Sequence, residues 1–221
     1  MEDTQTITQN LLNMYRRADK ITMANYWLLY LLSGFRTAQR DARILDCGCA
    51  LGIFLSFLKR RGFTHVEGFD ASPEMVTASK AFTNCDVKVA DVLNLGAHYA
   101  LSSFDIVCVS NLLHHVPDKT SWHSIFSGIR EILSPEGVLI IREPKMTLIN
   151  KALFSMSKHK IFYFPPLTFR LRSLIEEKEY LDYFFPRWYK DYQDILSEHG
   201  FFILKEGTSM GEQVLTCQKK K

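Results

Sequence analysis

Residues 44–54 read ILDCGCALGIF, and the fold turns on how they are taken. A short apolar run closes on Asp46, and Gly48 and Gly52 follow at a spacing that suits a nucleotide loop, a tight turn or a plain connection. Toward the carboxyl side, Ile53, Phe54, Phe57 and Leu58 recur at helical spacing as far as Gly62, so the stretch reads as strand, turn and helix. HVEGFD (65–70) is a second strand ending in an acid, and SPEMVTASKAF opens a helix with Ser72 as N-cap and Pro73 at its first position. The unit has repeated. DVKVAD (86–91) alternates as a strand, FDIVCVSN (104–111) reads as a buried strand, KTSWHSIFSGIREIL (119–133) as a helix and GVLIIRE (137–143) as a further strand. Strands and helices alternating through short connections predict a parallel sheet covered on both faces.

The ends of the chain depart from this rhythm. The first forty residues read as helical, with apolar Leu11, Leu12, Met14 and Tyr15 and then a denser run from Ile21 to Phe35 ended by Gly34. RWYKDYQDILSEHG (187–200) is a helix, and FFILKEG and QVLTCQK are consecutive strands joined around TSMG, which predicts an antiparallel hairpin at one sheet edge. Some forty residues between GVLIIRE and that helix exceed an ordinary connection and form a lid or a small subdomain. The chain therefore divides into an N-terminal helical cap (1–40), a core (41–144), a lid or substrate insertion (145–186) and a C-terminal helix and strand pair that complete the core (187–221).

Composition narrows the class. The 221 residues are 47% apolar and 23% charged, ordinary for a globular chain with a sizeable core. Five cysteines, odd in number and without paired C-x-x-C spacing, read as reduced, which predicts an intracellular protein. MEDTQTITQN is acidic where a secretory signal would be basic, and YWLLYLL (26–32) is too short to span a bilayer, so the expected location is cytoplasmic. A net charge of +3 is too weak to indicate nucleic acid.

The first strand-to-helix turn of such a sheet offers backbone N–H groups to a ligand. A dinucleotide fingerprint G-x-G-x-x-G starting at Gly48 fails at Ala50 and again at Ile53. Asp46 lies two residues before Gly48, and Asp70 ends the next strand. Pyrophosphate would be repelled there, whereas a ligand bearing an ammonium group would be attracted.

This constellation resembles the class I S-adenosylmethionine-dependent methyltransferase superfamily, in its small-molecule branch of methyltransferase type 11/12 and quinone-methyltransferase-like enzymes. Asp46, Gly48, Ala50 and Gly52 stand in the four positions of the family's D-x-G-x-G-x-G loop, three of them matching. Asp70, followed by Ala71 and the S-P-E-M that contains Met75, matches the acid that holds both ribose hydroxyls; Asp91, with Val92, matches the acid that holds the adenine amino group. FDIVCVSNLLHHVPD and LSPEGVLIIREP are similar to the family's fourth-strand and fifth-strand segments, and the likeness covers about two-thirds of the chain. The resemblance implies an α/β fold with a doubly wound, Rossmann-like seven-stranded sheet, mostly parallel with an antiparallel edge strand, plus an α-helical lid insertion. It further implies S-adenosyl-L-methionine as cofactor, S-adenosyl-L-homocysteine as product, contacts to the methionine end from Asn111, and an aromatic cover, Tyr15 or Tyr26, for the methionine moiety. Ala50 is expected to be tolerated if its φ is negative.

Methyl transfer from a sulfonium is an in-line displacement in which a general base is optional. His114 and His115 follow the fourth strand at the expected mouth, and Glu143 ends the fifth, so these are the catalytic candidates. No metal is expected: adjacent residues of an extended segment point apart, and His114, His115, Asp118 and His123 match no zinc spacing. Between 142 and 172 seven basic residues (Arg142, Lys145, Lys151, Lys158, Lys160, Arg170, Arg172) face one acid, and twelve of 28 aromatics fall between Asn150 and Tyr192. These favour a small, largely apolar acceptor, aromatic or lipid-like and carrying an acidic group, with transient membrane-surface contact through the insertion as a further reading. Protein or RNA methylation and a catalytically inactive cofactor-binding regulator or scaffold are the alternatives. Nucleic acid is the less favoured partner, and oligomeric state is not fixed by the sequence.

Overall fold

The strand read in the apolar run that closes on Asp46 forms as β1 (Arg43–Cys47) of a computed structural model that describes residues 24, 26–116, 118–145, 191–209 and 212–220. Its followers are α1 (Ile53–Arg60), β2 (His65–Asp70), α2 (Pro73–Thr83), β3 (Asp86–Val89), β4 (Phe104–Ser110), α3 (Lys119–Ile132), β5 (Leu133–Pro144), β6 (Phe201–Ser209) and β7 (Glu212–Lys219). Residues 26–32 and 191–198 are also helical, and short 3-10 turns occupy Val92–Ala97 and Leu113–His115. The expected cap and insertion lie outside the described residues, apart from 24 and 26–40 of the one and Lys145 of the other.

Local chemistry sets the boundaries. At the start of α2 the Ser72 hydroxyl accepts from the Met75 N–H with Pro73 behind it, and Asp118 caps α3 by accepting from Ser121 N–H at 2.8 Å. α1 stops where Gly62, at φ 88°, lets the Gly62 and Phe63 N–H groups turn back onto Lys59 and Leu58 carbonyls. β3 ends at Val89, two residues short of the alternating run, because Asp91 turns to cap the 3-10 turn through Leu93 N–H.

The seven strands lie in the order β3-β2-β1-β4-β5-β7-β6. Pairings from β3 through β5 are parallel, and β7 is antiparallel to both β5 and β6. The hairpin thus stands at the sheet edge as expected, with the reversed strand, β7, one place in from that edge. The reason is geometric: β6 enters after a helical crossover and lands parallel to β5, leaving a gap that a short hairpin fills in reverse.

Side-chain alternation builds one core per face. On one side Ile44, Val66, Cys108, Ile140 and Val214 pack under Leu29, Tyr30, Phe35, Phe54 and Phe57. On the other Leu45, Val107, Val109, Leu139 and Ile141 pack under Trp122, Ile125, Phe126, Ile129 and Ile195. Trp122 is fully buried and donates its Nε1–H to the Leu113 carbonyl, which ties α3 to the turn that follows β4. Removing such an aromatic costs about 3–5 kcal/mol. All five cysteines are buried and free. Among the described residues no helix is long and apolar enough to cross a membrane.

Candidate functional site

The chain steps outward from β1 to β2 and β3, then returns to β4 on the other flank of β1. The strand order therefore reverses between β1 and β4, the topological switch point at which open α/β sheets bind ligands in a crevice beyond the carboxyl ends of the strands. Asp46 lies one residue before the end of β1, Asp70 ends β2, and Asn111 follows β4.

Gly48, Ala50 and Gly52 all take positive φ, at 68°, 46° and 73°. The condition under which Ala50 is an easy substitute for glycine is therefore not met: the alanine sits in the left-handed region, strained by about 1–2 kcal/mol. The position is over-determined, because the Asp70 carboxylate accepts from Ala50 N–H at 2.9 Å and from Ser72 N–H at 3.0 Å, clamping the first loop to the second. Gly52 is required twice: by its φ, and because a Cβ there would come within 2.2 Å of the Ser79 hydroxyl on α2. A Cβ on Gly48 would stand 3.0 Å from Leu112, so the loops after β1 and β4 close tightly on one another.

Two polar rows end the two sheet faces. Asp46 pairs in register with Cys108, Cys108 with Ile140, Ser110 with Arg142 and Arg142 with Val214, which places Asp46, Ser110, Arg142 and Glu212 on the face covered by residue 26 and its neighbours. Arg142 is 6% exposed; its Nε lies 2.5 Å from Glu212 Oε2, its guanidinium 5.5 Å from the Tyr26 ring centroid, and Asn111 Nδ2 donates to Glu212 Oε1 at 3.3 Å. Asp46 is 4% exposed, and desolvation, reinforced by Asp70 and opposed by Arg142, lifts its pKa to about 8. Arg142 is thus a buried residue of the crevice, and the expectation that it adds to the positive field of the insertion is corrected. Lys145 is also occupied, 3.0 Å from Thr208 Oγ1 and 3.7 Å from Glu206. The signal for Arg142 was present in GVLIIRE, a lone cation directly after a long apolar run.

The opposite face carries Glu143 and His114. Glu143 is 0% exposed; Oε1 accepts from the Leu112 and Leu113 N–H groups at 2.8 and 2.7 Å, and Oε2 meets His114 Nδ1 at 2.7 Å. Glu143 therefore does not face the mouth as an acid or base. It fastens the 3-10 turn, because two amides at a turn start and a buried imidazole require an acceptor. That turn also corrects the extended conformation assumed for the two histidines: their ring centroids are 4.0 Å apart. His115 is exposed, and desolvation of the ring together with His114 lowers its pKa to about 4. No group of three or more metal-ligating side chains occurs among the described residues.

The remaining expected residues are placed as follows. Asp91 is exposed and caps the 3-10 turn, Val92 is buried beneath it, Ala71 is exposed and Met75 half-buried in the first turn of α2. Asn111, at φ 54°, gives its backbone N–H to the Arg142 carbonyl at 2.8 Å. Its side-chain Oδ1 is buried without a hydrogen-bond partner among the described residues. Tyr26 stacks on Phe54 at 5.0 Å, and Tyr15 lies outside the described residues.

The crevice thus offers acceptors in Asp46, Asp70 and Asn111 Oδ1 beside a strained backbone loop, and the cation it holds, Arg142, is itself paired with Glu212. Those residues fit S-adenosylmethionine, which brings an ammonium group, a sulfonium and two ribose hydroxyls. Comparison with known proteins agrees. Residues 21–206 match a family model described as a methyltransferase domain. A ubiquinone biosynthesis O-methyltransferase of Xanthomonas axonopodis pv. citri is 33% identical over 111 residues, which take in 48% of this chain and 44% of that protein. The chain spans less than half the length of the curated relatives it matches. In fold it is similar to a SAM-dependent methyltransferase of Methanosarcina mazei, with TM-score 0.62 and 20% identity over 84% of this chain and 96% of that one. It is similar also to a TehB-like SAM-dependent methyltransferase of Corynebacterium glutamicum, with TM-score 0.61 and 16% identity over 98% and 100% of the two chains. The chain belongs to the methyltransferase-domain family, within the class I superfamily whose cofactor is S-adenosylmethionine.

Proposed function

We propose that this chain transfers the methyl group of S-adenosylmethionine to a small, largely apolar acceptor, aromatic or lipid-like. The observation that carries the transfer is the acceptor-lined crevice at the carboxyl ends of β1 and β4, whose buried Asp46 is suited to a cationic ligand. The acceptor class is supported by the curated relatives, named for an O-methylation in ubiquinone biosynthesis. Lys151, Lys158, Lys160, Arg170 and Arg172, with no acid between 146 and 172, fit an acceptor that carries an acidic group or lies at an anionic membrane surface.

When bound, the cofactor supplies a methyl carbon activated by its sulfonium. Asp46 and Asn111 Oδ1 are suited to the ammonium group, and Asp70 keeps lone pairs for ribose hydroxyls beyond those given to Ala50 and Ser72. If the acceptor is a hydroxyl, His115 is the candidate base: it is exposed and neutral at pH 7, although a pKa lowered to about 4 makes it a weak one, whereas His114 Nδ1 is engaged by Glu143. The test is incubation with methyl-labelled S-adenosylmethionine and fractionated extract, followed by mass spectrometry. Label on a quinol or other small phenolic compound is expected, with transfer slowed in His115→Ala. Label confined to protein or RNA, or absent from every fraction, would overturn the reading.

A further inference from the structure

The four charged or polar groups on the face of Asp46 have an unequal arrangement. Asp46 and Arg142 are both buried, two strands apart on one face, and Ser110 stands between them, its Oγ 3.4 Å from Arg142 Nη1. Glu212 comes from β7, an element that follows the loop sequence by more than 150 residues, and grips the guanidinium at 2.5 Å. The charged groups that act on Asp46 are Asp70 from the end of β2 and Arg142 from β5, and Asp46 in turn acts on the thiols of Cys47 on its own strand, Cys49 in the loop and Cys108 on β4. All three thiols are pushed upward by burial and by Asp46 itself and remain neutral. Arg142 is then the one cation acting on Asp46 among the described residues, and its field is moderated by Glu212.

We propose that Arg142 is a positioning residue acting through charge: held by Ser110 and Glu212, it makes the Asp46 carboxylate available to the ammonium group of the cofactor, and Glu212 sets how strongly it does so. This rests on the reading that S-adenosylmethionine binds in the crevice. A neutral Asp46 offers an O–H where a carboxylate would attract the ammonium, so each step in its ionisation is a step in affinity. The sequence places Arg142 in a fifth strand and Glu212 in a terminal hairpin, and nothing in their spacing links them to the glycine loop; the register of β1, β4, β5 and β7 does.

The test is calorimetric titration of S-adenosylhomocysteine into the whole protein between pH 6 and pH 9. For the wild type, affinity should rise with pH and level off near 8, where Asp46 ionises. Arg142→Met should move this acid limb upward by about one pH unit or more, which weakens binding at pH 7 about tenfold. Arg142→Lys, which restores the cation, should bring the limb back. Glu212→Gln leaves Arg142 unopposed and should move the limb the other way, so the proposal stays testable even where Arg142→Met does not fold. A merely structural role would lower affinity equally at every pH. Parallel curves with unmoved limbs in Arg142→Met, or an unmoved limb in Glu212→Gln, would overturn the proposal while leaving cofactor binding intact. Failure of the wild type to bind at any pH would overturn the cofactor reading and this proposal with it.

Discussion

Ala50 and Asp46 are two residues the loop holds in states they would not choose alone. At φ 46°, Ala50 spends about 1–2 kcal/mol of strain that glycine would not. Glycine in turn loses more chain entropy on folding, by about 0.4–1 kcal/mol. Ala50→Gly should therefore leave the melting temperature within about 2–4 °C of the wild type and retain cofactor affinity. Ala50→Val, β-branched in the left-handed region, should lower both, as thermal denaturation and calorimetry would show. For Asp46 the sign follows from linkage. Its folded pKa, about 8, lies above the unfolded value of about 3.9, so the folded state resists losing a proton that the unfolded state gives up readily. Stability falls as pH rises between those values. Asp46→Asn should melt higher than the wild type without cofactor, by a margin that widens from about pH 4 to about pH 8, and should lose cofactor binding. An unchanged margin across that range would refute the assignment. Asp46 itself was legible in ILDCGCALGIF; that it is desolvated and opposed by a cation from β5 was not, because burial is a property of neighbours that sequence order does not name.

At the scale of elements, the turn Leu113–His115 depends on β5. Glu143 satisfies two backbone amides and one imidazole from a position of complete burial. Glu143→Ala would leave those donors without their acceptor and should destabilise the fold by about 2–4 kcal/mol in urea unfolding, with loss of methyl transfer. Glu143→Gln keeps one acceptor oxygen and should fall between. The sequence marked Glu143 and His114 as chemistry because acids and histidines at strand ends often are. The structure uses them to hold the loop, and the pairing spans 29 residues, beyond the reach of any local pattern. The start of α2 was more readable: Ser72 and Pro73 sit where capping places them, since a cap is satisfied by atoms two or three residues away.

For the whole molecule, β7 joins the hairpin to the core. It supplies Glu212 to one face and Leu215 and Cys217 to the other, and β6 borders it as the sheet edge. Native-state hydrogen exchange should show the slowest amides in β1, β4 and β5, with β7 nearly as slow and β3 and β6 faster, because edge strands lack one ladder of partners. Rapid exchange throughout β7 would mean that the hairpin is a loose appendage and that Glu212 cannot hold Arg142 in place.

By itself the sequence determined the alternation of strands and helices, the identity of the loop Asp46–Gly52, and the family to which loop and strands belong. The first two rest on hydrophobic period, capping and turn chemistry, all of them short-range, and the third on the likeness of the loop and strand motifs to the family's. Only the tertiary structure decided that Ala50 is strained, that Glu143 braces the turn beneath His115, and that Arg142 and Glu212 reach the crevice from the far end of the chain. Each of these depends on which strands lie side by side, and strand order is fixed by the packing of the whole sheet, which no stretch of neighbouring residues records.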